Sequence, residues 1–245
     1  MARINGTDGN DQLTGTSDGD IISALRGDDD VEGRAGNDKI FGDADDDRLF
    51  GQQGNDDIRG GEGIDNIFGD AGDDDLFGQQ DNDRIEGGGG DDRIEGGDGD
   101  DRVSAGLNSD TARGGSGQDL VEGEEGADLV DGGIGDDDVR GGDGSDRVNG
   151  GDQDQGDDRL SGGGGRDTFI VSNGGGDDTI MDFQPGDHVD LTAIQGEVRF
   201  RNFDDVLSHA RDTLSGVMIN LGDGDSVFLR GIFTGQLEAD DFFYL

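Results

Sequence analysis

Apolar side chains recur along this chain every nine residues, and in most units the residues on either side of them are polar. Leu13, Ile22, Val31 and Ile40 begin this series, and its frame does not break before Val148. One apolar residue between polar neighbours predicts a short strand whose middle side chain faces inward while its neighbours face water. Self-similarity at a fixed period indicates a repeat architecture. We therefore expect these side chains to meet between two sheets of short strands.

The repeating unit is a nonapeptide of the form GGxGxDxUx, in which U is aliphatic or phenylalanine. Gly6 to Thr14 reads GTDGNDQLT, and Gly141 to Asn149 reads GGDGSDRVN. A longer unit from Gly150 to Ser161 and one further nonad follow. A weaker unit from Asn173 to Met181 ends the series. Such units cannot bury their apolar side chains alone, so stacking is expected to build the core.

The sixth position of every unit is aspartate, which makes these residues the candidate metal ligands. Glycine-rich turns let backbone carbonyl oxygens point into one concavity, and each aspartate adds a hard carboxylate oxygen there. Calcium accepts roughly six to eight oxygen ligands in flexible geometry, whereas zinc, copper and iron favour nitrogen or sulfur. Alternation between two edges places every second aspartate in one column. The candidates are Asp11, Asp20, Asp29, Asp38, Asp47, Asp56, Asp65, Asp74, Asp83, Asp92, Asp101, Asp110, Asp119, Asp128, Asp137, Asp146, Asp158, Asp167 and Asp178.

Composition indicates that the fold depends on such a metal. The chain has 61 acidic and 18 basic residues among 245, a net charge of −43, and 28% hydrophobic residues. So polar a chain buries too little apolar surface to offset the entropy of ordering. Aspartates one strand spacing apart, about 4.8 Å, would repel by about 3.5 kcal/mol at an effective dielectric of about 20. We expect a largely disordered metal-free chain and a calcium form that folds cooperatively.

The charge and the residue inventory also narrow the partners. Nucleic acid and anionic membranes would be repelled by so acidic a chain. Cysteine is absent, which excludes disulfides and thiolate metal sites, and no apolar stretch is long enough to span a membrane. His188 and His209 lack the neighbours of a catalytic triad. The sequence therefore predicts a non-catalytic protein that binds neither nucleic acid nor a bilayer core.

The GGxGxDxUx pattern resembles the hemolysin-type calcium-binding nonapeptide of RTX (repeats-in-toxin) proteins over residues 6–181. The resemblance implies an all-β, right-handed parallel β-roll with two short-stranded sheets. In it, six residues make a turn, three make a strand, and two nonads complete one coil. It also implies multiple Ca²⁺ ions, secretion, and a type I secretion apparatus as partner. The acidic and then apolar ending from Asp240 to Leu245 is similar to the uncleaved signal of such proteins, and a last strand is a compatible alternative.

The periodicity fails from Phe169 onward while hydrophobicity rises. We therefore divide the chain into a calcium-binding β-roll, residues 1–181, and a C-terminal capping region of mixed β structure with one short helix, residues 182–245. A stacked roll needs its open end covered. Helical spacing from Phe203 to Leu214, through Ala210, follows Asn202 as a predicted N-cap. Strands are predicted at Thr168–Val171, Thr179–Phe183, His188–Leu191, Val217–Leu221 and Val227–Arg230.

Four phenylalanines occupy the ninth position, outside the predicted core. Cross-strand stacking on the sheet surface is one interpretation of this pattern. A contact for a protein partner or for a second copy of the chain is the other. The residues are Phe41, Phe50, Phe68 and Phe77.

The function predicted from the sequence is a secreted, extracellular calcium-binding module that folds on calcium binding and has a structural or binding role. The alternative is the C-terminal calcium-binding portion of a larger secreted RTX enzyme (a protease, lipase or epimerase) or of an adhesin. Any activity would then belong to sequence outside this chain. A disordered acidic calcium buffer is a third hypothesis, against which the regular apolar eighth positions argue.

Overall fold

The computed structural model describes residues 1–151, 156–194 and 198–244. Within these ranges the chain winds back and forth between one sheet of twelve strands and one of thirteen. Successive strands of the roll fall in alternate sheets, and each pairs in parallel with the strand two places along the chain. Two units therefore complete one coil. The predicted all-β parallel roll is confirmed.

We name the odd sheet and the even sheet after the numbers of their strands. The odd sheet contains, in spatial order, β1 (Arg3–Asn5), β3 (Ile21–Arg26), β5 (Lys39–Ala44), β7 (Asp57–Glu62), β9 (Asp75–Gln80), β11 (Arg93–Asp98), β13 (Thr111–Ser116), β15 (Leu129–Ile134), β17 (Arg147–Asn149), β19 (Thr168–Ile170), β21 (His188–Asp190) and β25 (Phe242–Phe243). The even sheet contains β2 (Gln12–Thr14), β4 (Asp30–Ala35), β6 (Arg48–Gln53), β8 (Asn66–Ala71), β10 (Arg84–Gly89), β12 (Arg102–Leu107), β14 (Leu120–Gly126), β16 (Asp138–Gly144), β18 (Arg159–Gly165), β20 (Asp177–Ile180), β24 (Asp225–Arg230), β23 (Gly216–Gly222) and β22 (Ala210–Asp212). The chain also forms helix α1 (Phe203–His209) and 3₁₀ turns at Thr234–Gln236 and Ala239–Asp241.

The register of the sheets follows the repeat length. Ile85 of β10 lies beside Val103 of β12, and this spacing of one coil recurs through most of the roll. At the twelve-residue unit the spacing lengthens, so that Val139 of β16 lies beside Leu160 of β18. Both partners are eighth-position residues of their units. The inward face of the sheet is therefore preserved across the insertion.

The strands are longer than the three residues that the resemblance implied. β10 pairs with β12 through residues 84–86, skips Gly87, and pairs again through Gly88 and Gly89. Gly88 has a φ of 106°, a left-handed conformation that glycine adopts without steric cost. The paired segment therefore reaches the third position of the unit, and only positions four to six form the turn. This three-residue turn is what brings the sixth-position aspartate against its neighbouring coils.

The core of the roll is a file of eighth-position side chains enclosed between the two sheets. Ile58, Ile67 and Leu76 are fully buried, as the nine-residue pattern predicts. In the unit that departs most from the consensus, Ala105 and Ala112 are also buried. Each coil supplies only two eighth-position side chains, so apolar burial per residue is small. Apolar packing alone is a weak source of stability for such a coil.

The C-terminal region continues both sheets of the roll. β21 pairs with β19 and then with β25 in the odd sheet. β24 pairs in parallel with β20 and antiparallel with β23 in the even sheet. Both sheets thus run through the predicted boundary after residue 181, and that division stays a prediction. Within the described ranges, neither α1 nor another helix has the length and apolar character needed to cross a bilayer.

The strands predicted from Thr168 onward occur as β19, β20, β21, β23 and β24, the last three of them in the capping region, which also contains one short helix. Asn202 caps this helix as predicted, because its side chain accepts a hydrogen bond from the N–H of Asp205 at 3.1 Å. The last apolar residues also form a strand, β25, so the alternative interpretation of the C-terminus is confirmed. Leu245 lies outside the described residues.

The predicted continuation of the helix through Ala210 to Leu214 was wrong. Helix α1 ends at His209, and Ala210 begins β22, which pairs with β23. The Thr213 hydroxyl donates to the carbonyl oxygen of Gly216 at 2.8 Å and closes a tight turn between these strands. Leu214 lies at the tip of this turn and is fully exposed. Strand pairing therefore overrides the helical spacing of these residues.

Candidate metal centre

The predicted aspartates lie at the turns in two columns, one at each edge of the roll. Asp20, Asp65 and Asp178 are 1%, 0% and 4% exposed, and the aspartates between them are similarly buried. Asp11, in the first unit, is only partly buried. Ionised side chains are almost never this deeply buried without a partner. The columns are therefore the feature of the fold that most needs a chemical explanation.

From Asp29 onward, one carboxylate oxygen of each aspartate joins its coil to the preceding one. Oδ1 of Asp65 accepts a hydrogen bond from the N–H of Asp47 at 2.8 Å. The contact recurs across the twelve-residue unit, where the N–H of Asp137 donates to Oδ1 of Asp158 at 2.9 Å. The unit from Ala105 keeps the contact as well, with Asp110 donating to Asp128 at 2.8 Å. Neither irregular unit therefore interrupts its column.

The second oxygen, Oδ2, faces a glycine and a carbonyl oxygen of the next coil. In the unit of Gly60, a Cβ added to that glycine would lie 2.1 Å from Oδ2 of Asp65 and 2.9 Å from the carbonyl oxygen of Gly78. Glycine at position one therefore leaves room for two oxygens to converge. Among the described residues, the buried Oδ2 atoms without a hydrogen-bond partner include those of Asp29, Asp38, Asp47, Asp56, Asp65, Asp74, Asp83, Asp92, Asp101, Asp110, Asp119, Asp128, Asp146 and Asp167.

Burial is the main influence on the protonation of these carboxyls. Loss of hydration raises the pKa of Asp65 to about 7 and that of Asp83 to about 8. The backbone hydrogen bond from the preceding coil opposes this rise, and neighbouring carboxylates add a smaller increase. From the sequence alone, mutual repulsion of the carboxylates is the expected obstacle to folding, whereas in the structure desolvation has the larger influence on their pKa. A charged carboxylate in this position needs a nearby cation.

The basic side chains lie on the outer faces of the sheets. Lys39 Nζ pairs with Asp57 at 2.7 Å, and Arg113 pairs with Asp131 at 3.1 Å. These basic side chains are each 55% exposed, and the acids they contact are at positions seven and nine of their units. They neutralise outward carboxylates and not the buried columns.

The oxygens nearest to Gly60 are one carboxylate oxygen, Oδ2 of Asp65, and one carbonyl oxygen, that of Gly78. Within the described ranges, no group of three or more His, Cys, Asp or Glu side chains lies in a metal-binding arrangement. A cation between coils would therefore take carbonyl oxygens in addition to the aspartates. An all-oxygen donor set of this mixed type fits Ca²⁺, which binds carboxylate and carbonyl oxygens in flexible geometry. The residues present thus fit the predicted ion.

A second ladder of side chains was missed by the sequence analysis. At position five, Oδ1 of Asn55 accepts from the N–H of Asp73 at 3.2 Å, and Oδ1 of Asp73 accepts from that of Asp91 at 3.0 Å. These side chains bond to the following coil, whereas the sixth-position aspartates bond to the preceding coil. The signal was present in the sequence, because asparagine or aspartate recurs at position five.

Asp187 extends the column that contains Asp167, and the sequence analysis did not predict it. It is 2% exposed, and its Oδ1 accepts from the N–H of Asp167 at 3.1 Å. Its Oδ2 accepts from the N–H of Gln184 at 2.7 Å. Asp187 stands two residues before the buried Val189, which is the spacing between the sixth and eighth positions of a unit. That spacing would have identified it despite the loss of the glycine pattern.

The ninth-position phenylalanines are divided between the outer faces of the two sheets. Phe50 and Phe68 stack on the even sheet with ring centroids 4.8 Å apart and planes within 8°. On the odd sheet, the guanidinium of Arg59 lies 5.6 Å from the ring of Phe41 and 5.5 Å from that of Phe77. Cross-strand stacking is confirmed for Phe50 and Phe68. A contact with a partner or a second copy stays a prediction.

The family comparison covers the part of the chain that forms the coils. The family model described as the RTX calcium-binding nonapeptide repeat matches residues 3–31, 25–58, 50–85, 77–112, 104–139, 122–154 and 131–169. These overlapping segments span more than half of the chain. The chain belongs to the RTX calcium-binding nonapeptide repeat family. A search of curated proteins found no match to this RTX chain.

Two solved structures share a distant likeness with the RTX chain. The extracellular lipase LipA from Serratia marcescens has 17% identity and a TM-score of 0.33, over 92% of this chain and 44% of the lipase. A subunit of the mannuronan C5-epimerase from Azotobacter vinelandii has 22% identity and a TM-score of 0.35, over 63% of this chain and 80% of that one. The chain thus spans less than half the length of the lipase. Neither likeness carries an activity to it.

Proposed function

We propose that this RTX chain is a calcium-binding module that folds when it binds calcium and has a structural or binding role without catalysis. The observation that supports the proposal is the series of buried Oδ2 atoms, of which that of Asp65 is an example. This oxygen has no donor within the described residues. It lies 2.1 Å, and the carbonyl oxygen of Gly78 lies 2.9 Å, from the place that a Cβ on Gly60 would take. A divalent cation between coils supplies the positive partner that two adjacent oxygens need.

Calcium suits this donor set better than other biological cations. The proposed ligands are the sixth-position aspartates together with carbonyl oxygens of the glycine-rich turns. Calcium tolerates irregular arrangements of such oxygens, whereas magnesium requires a near-ideal octahedron and keeps several waters. Burial between coils leaves little space for those waters. Softer transition metals favour nitrogen and sulfur ligands, and the chain has two histidines and no cysteine.

Binding and folding are coupled because the pocket is made by two coils together. The hydrogen bond from Asp47 to Asp65 and the approach of the Gly78 carbonyl to Gly60 each join residues one coil apart. An unfolded chain brings none of these oxygens together, so calcium binds the folded state preferentially and stabilises it by mass action. Each bound ion also positions the coil on which the next pocket depends. A cooperative transition follows.

A calcium titration of metal-stripped protein followed by far-UV circular dichroism tests this proposal. We expect a cooperative gain of β signal with calcium and little change with the same concentrations of magnesium. A spectrum that stays disordered at saturating calcium would instead support the acidic calcium buffer. A fully folded metal-free chain at neutral pH would show that the buried carboxylates need no cation.

A pair of charge-matched variants assigns the effect to the columns. Asp65→Asn with Asp74→Asn removes two buried charges but keeps the Oδ1 acceptors, so we expect the calcium midpoint to rise several-fold. Asp75→Asn with Asp98→Asn removes the same charge from exposed positions of the odd sheet and should leave the midpoint nearly unchanged. Equal shifts in both variants would attribute the effect to net charge alone.

We also propose that the chain is exported by a type I apparatus and folds outside the cell, where calcium is available. RTX repeat proteins are typically secreted, and the chain ends in acids followed by apolar residues. A calcium-dependent fold would keep the chain extended during export. Export through a type I apparatus, measured with and without residues 240–245, tests this proposal. Secretion that is unaffected by the deletion would assign these residues to β25 alone.

A further inference from the structure

The first two units differ in the surroundings of the aspartate from later units such as that of Asp65. Oδ2 of Asp11 accepts from the N–H of Thr7 at 2.6 Å and from its hydroxyl at 2.9 Å. Oδ2 of Asp20 accepts from the N–H of Thr16 at 2.7 Å and from its hydroxyl at 2.8 Å. At Asp29, Asp38 and Asp65, by contrast, this oxygen is buried without a donor among the described residues. The donors belong to the second position of each unit.

The backbone at the second position explains why the later units lack these donors. That position is left-handed in later units, with φ of 86° at Leu25 and 134° at Gly61. Thr7 and Thr16 are not among the left-handed residues, in keeping with the steric cost of that conformation for a β-branched side chain. Threonine occurs at position two in these units and in no later one. Its N–H is thereby directed at the carboxylate of its own unit.

The threonine hydroxyl also lies between two oxygens of its unit. Oγ1 of Thr7 is 2.9 Å from Oδ2 of Asp11 and 3.3 Å from the carbonyl oxygen of Gly9 at position four. Thr16 makes the matching pair of contacts at 2.8 Å and 3.3 Å. A cation that contacted both the carboxylate and this carbonyl would have to occupy the same space. The hydroxyl therefore gives Oδ2 a polar partner within its own unit.

In other respects the first unit resembles the pockets that follow it. A Cβ added to Gly6 would lie 2.9 Å from Oδ2 of Asp11 and 2.4 Å from the carbonyl oxygen of Ala24 in the next coil. A carbonyl of the next coil thus approaches here as it does at Gly60. The threonine is what distinguishes the first unit, because it satisfies the carboxylate that would otherwise face the carbonyl.

We propose that Thr7 and Thr16 close the N-terminal ends of the two metal columns, so that Asp11 and Asp20 bind no calcium. The columns then begin at Asp29 and at Asp38, the next aspartate of each. The first coil is held by hydrogen bonds and covers the first metal-bound coil. This proposal rests on the proposed calcium binding and specifies which of the predicted ligands take part in it.

Counting bound calcium by equilibrium dialysis tests the assignment. We expect Asp11→Asn with Asp20→Asn to bind as many ions per chain as the wild type. The matched variant Asp65→Asn with Asp74→Asn should lose ions. A loss in the first variant equal to that in the second would overturn the proposal. A wild-type chain that binds no calcium would refute the proposed function itself, so the two failures are distinguishable.

A second pair of variants tests the role of the threonines directly. Thr7→Gly with Thr16→Gly removes both hydroxyls and permits left-handed backbone at position two, so we expect additional ions at both columns. Thr7→Ser with Thr16→Ser keeps the hydroxyls and should bind the wild-type number. An unchanged count in the glycine variant, whose β spectrum at saturating calcium shows that it is folded, would contradict the proposal.

Discussion

A coil in the middle of the roll and the hairpin β23–β24 of the capping region are stabilised by different interactions. The coil buries two eighth-position side chains and two carboxylates, as in the unit pair that contains Ile58 and Asp65. On β23, by contrast, Val217, Ile219 and Leu221 are all fully buried, and the hairpin packs against helix α1. Apolar burial can support the hairpin, whereas the coil carries buried charge that must be compensated. The repeating coils thus fold with a small apolar core, and their stability depends on cations instead.

The largest expected effect is a difference in the pH dependence of folding between the two regions of the metal-free protein. Burial raises the pKa of Asp47 and Asp65 to about 7, above the usual value of 3.8. The folded roll therefore binds more protons than the unfolded chain between these values. Its stability is fully present below pH 3.8, falls as the pH rises through about 7, and is lost above it. We expect the metal-free roll to gain β structure when the pH is lowered from 8 to 5.

Hydrogen exchange at the two pH values, corrected for the intrinsic rate, checks this expectation region by region. Protection should appear in strands β5 to β16 at pH 5, and it should change much less in the hairpin β23–β24. Equal protection of the roll at both pH values without metal would show that desolvation does not control its folding. A parallel gain in both regions would mean that the two fold as one cooperative unit.

A smaller effect is expected when one methyl group is added in each region of the calcium-loaded protein. The Cβ of Gly60→Ala would lie 2.1 Å from Oδ2 of Asp65. We expect a loss of about 1–3 kcal/mol in the free energy of unfolding, because the crowded coil cannot yield without moving its carboxylate. Gly235→Ala in the capping region meets no atom within 4 Å and should change stability by less than about 0.5 kcal/mol.

Urea denaturation at saturating calcium measures both values. The natural alanines at position one, Ala24 and Ala105, show that the roll admits this methyl where the whole coil is built around it. A cost for Gly60→Ala no greater than that for Gly235→Ala would mean that the first-position glycine is not needed for the oxygen pocket.

The smallest expected effect concerns the outer face of the even sheet. Phe50→Ser with Phe68→Ser removes the stacked pair. We expect the loss of the aromatic contact to lower the free energy of unfolding by about 0.5–1.5 kcal/mol, in addition to the contribution of the buried area. Sedimentation velocity should be unchanged if the rings serve only cross-strand stacking. A decrease in sedimentation coefficient would support self-association through this face. Phe41→Ser with Phe77→Ser provides the corresponding variant on the odd sheet.

Much of the roll could be predicted because each unit repeats the same residue types at the same positions. The aspartate at position six and the apolar residue at position eight, as in Asp65 and Ile67, define the columns and the core. The length of the strands was not predictable from those two positions, because pairing beyond position nine depends on left-handed backbone at position two. Gln52 and Asp70 adopt it with φ of 76° and 72° although neither is glycine.

The capping region was harder to predict because its contacts are long-range. The spacing from Phe203 to Leu214 is helical, yet pairing of β22 with β23 ends the helix at His209. Asp187 follows no glycine repeat, but it stands two residues before Val189. Its hydrogen bond with Asp167 shows that it continues a column. At the N-terminal end of the roll, the sequence itself shows that Thr7 and Thr16 differ from the later second-position residues. Whether their N–H groups reach the carboxylate depends on the backbone conformation at position two, which the repeat pattern does not specify.

The eighteen-residue register makes the roll a molecule of adjustable length. Every coil contacts its neighbours through the same hydrogen bonds, such as the one from Asp47 to Asp65, so a whole coil is an interchangeable segment. Gain or loss of one coil alters the long dimension by one strand spacing, about 4.8 Å, and leaves the remaining coils as they were. Across the twelve-residue unit, the pairing of Val139 with Leu160 keeps the eighth positions side by side. Evolution can thus lengthen or shorten such a protein in fixed steps, without redesigning an interior.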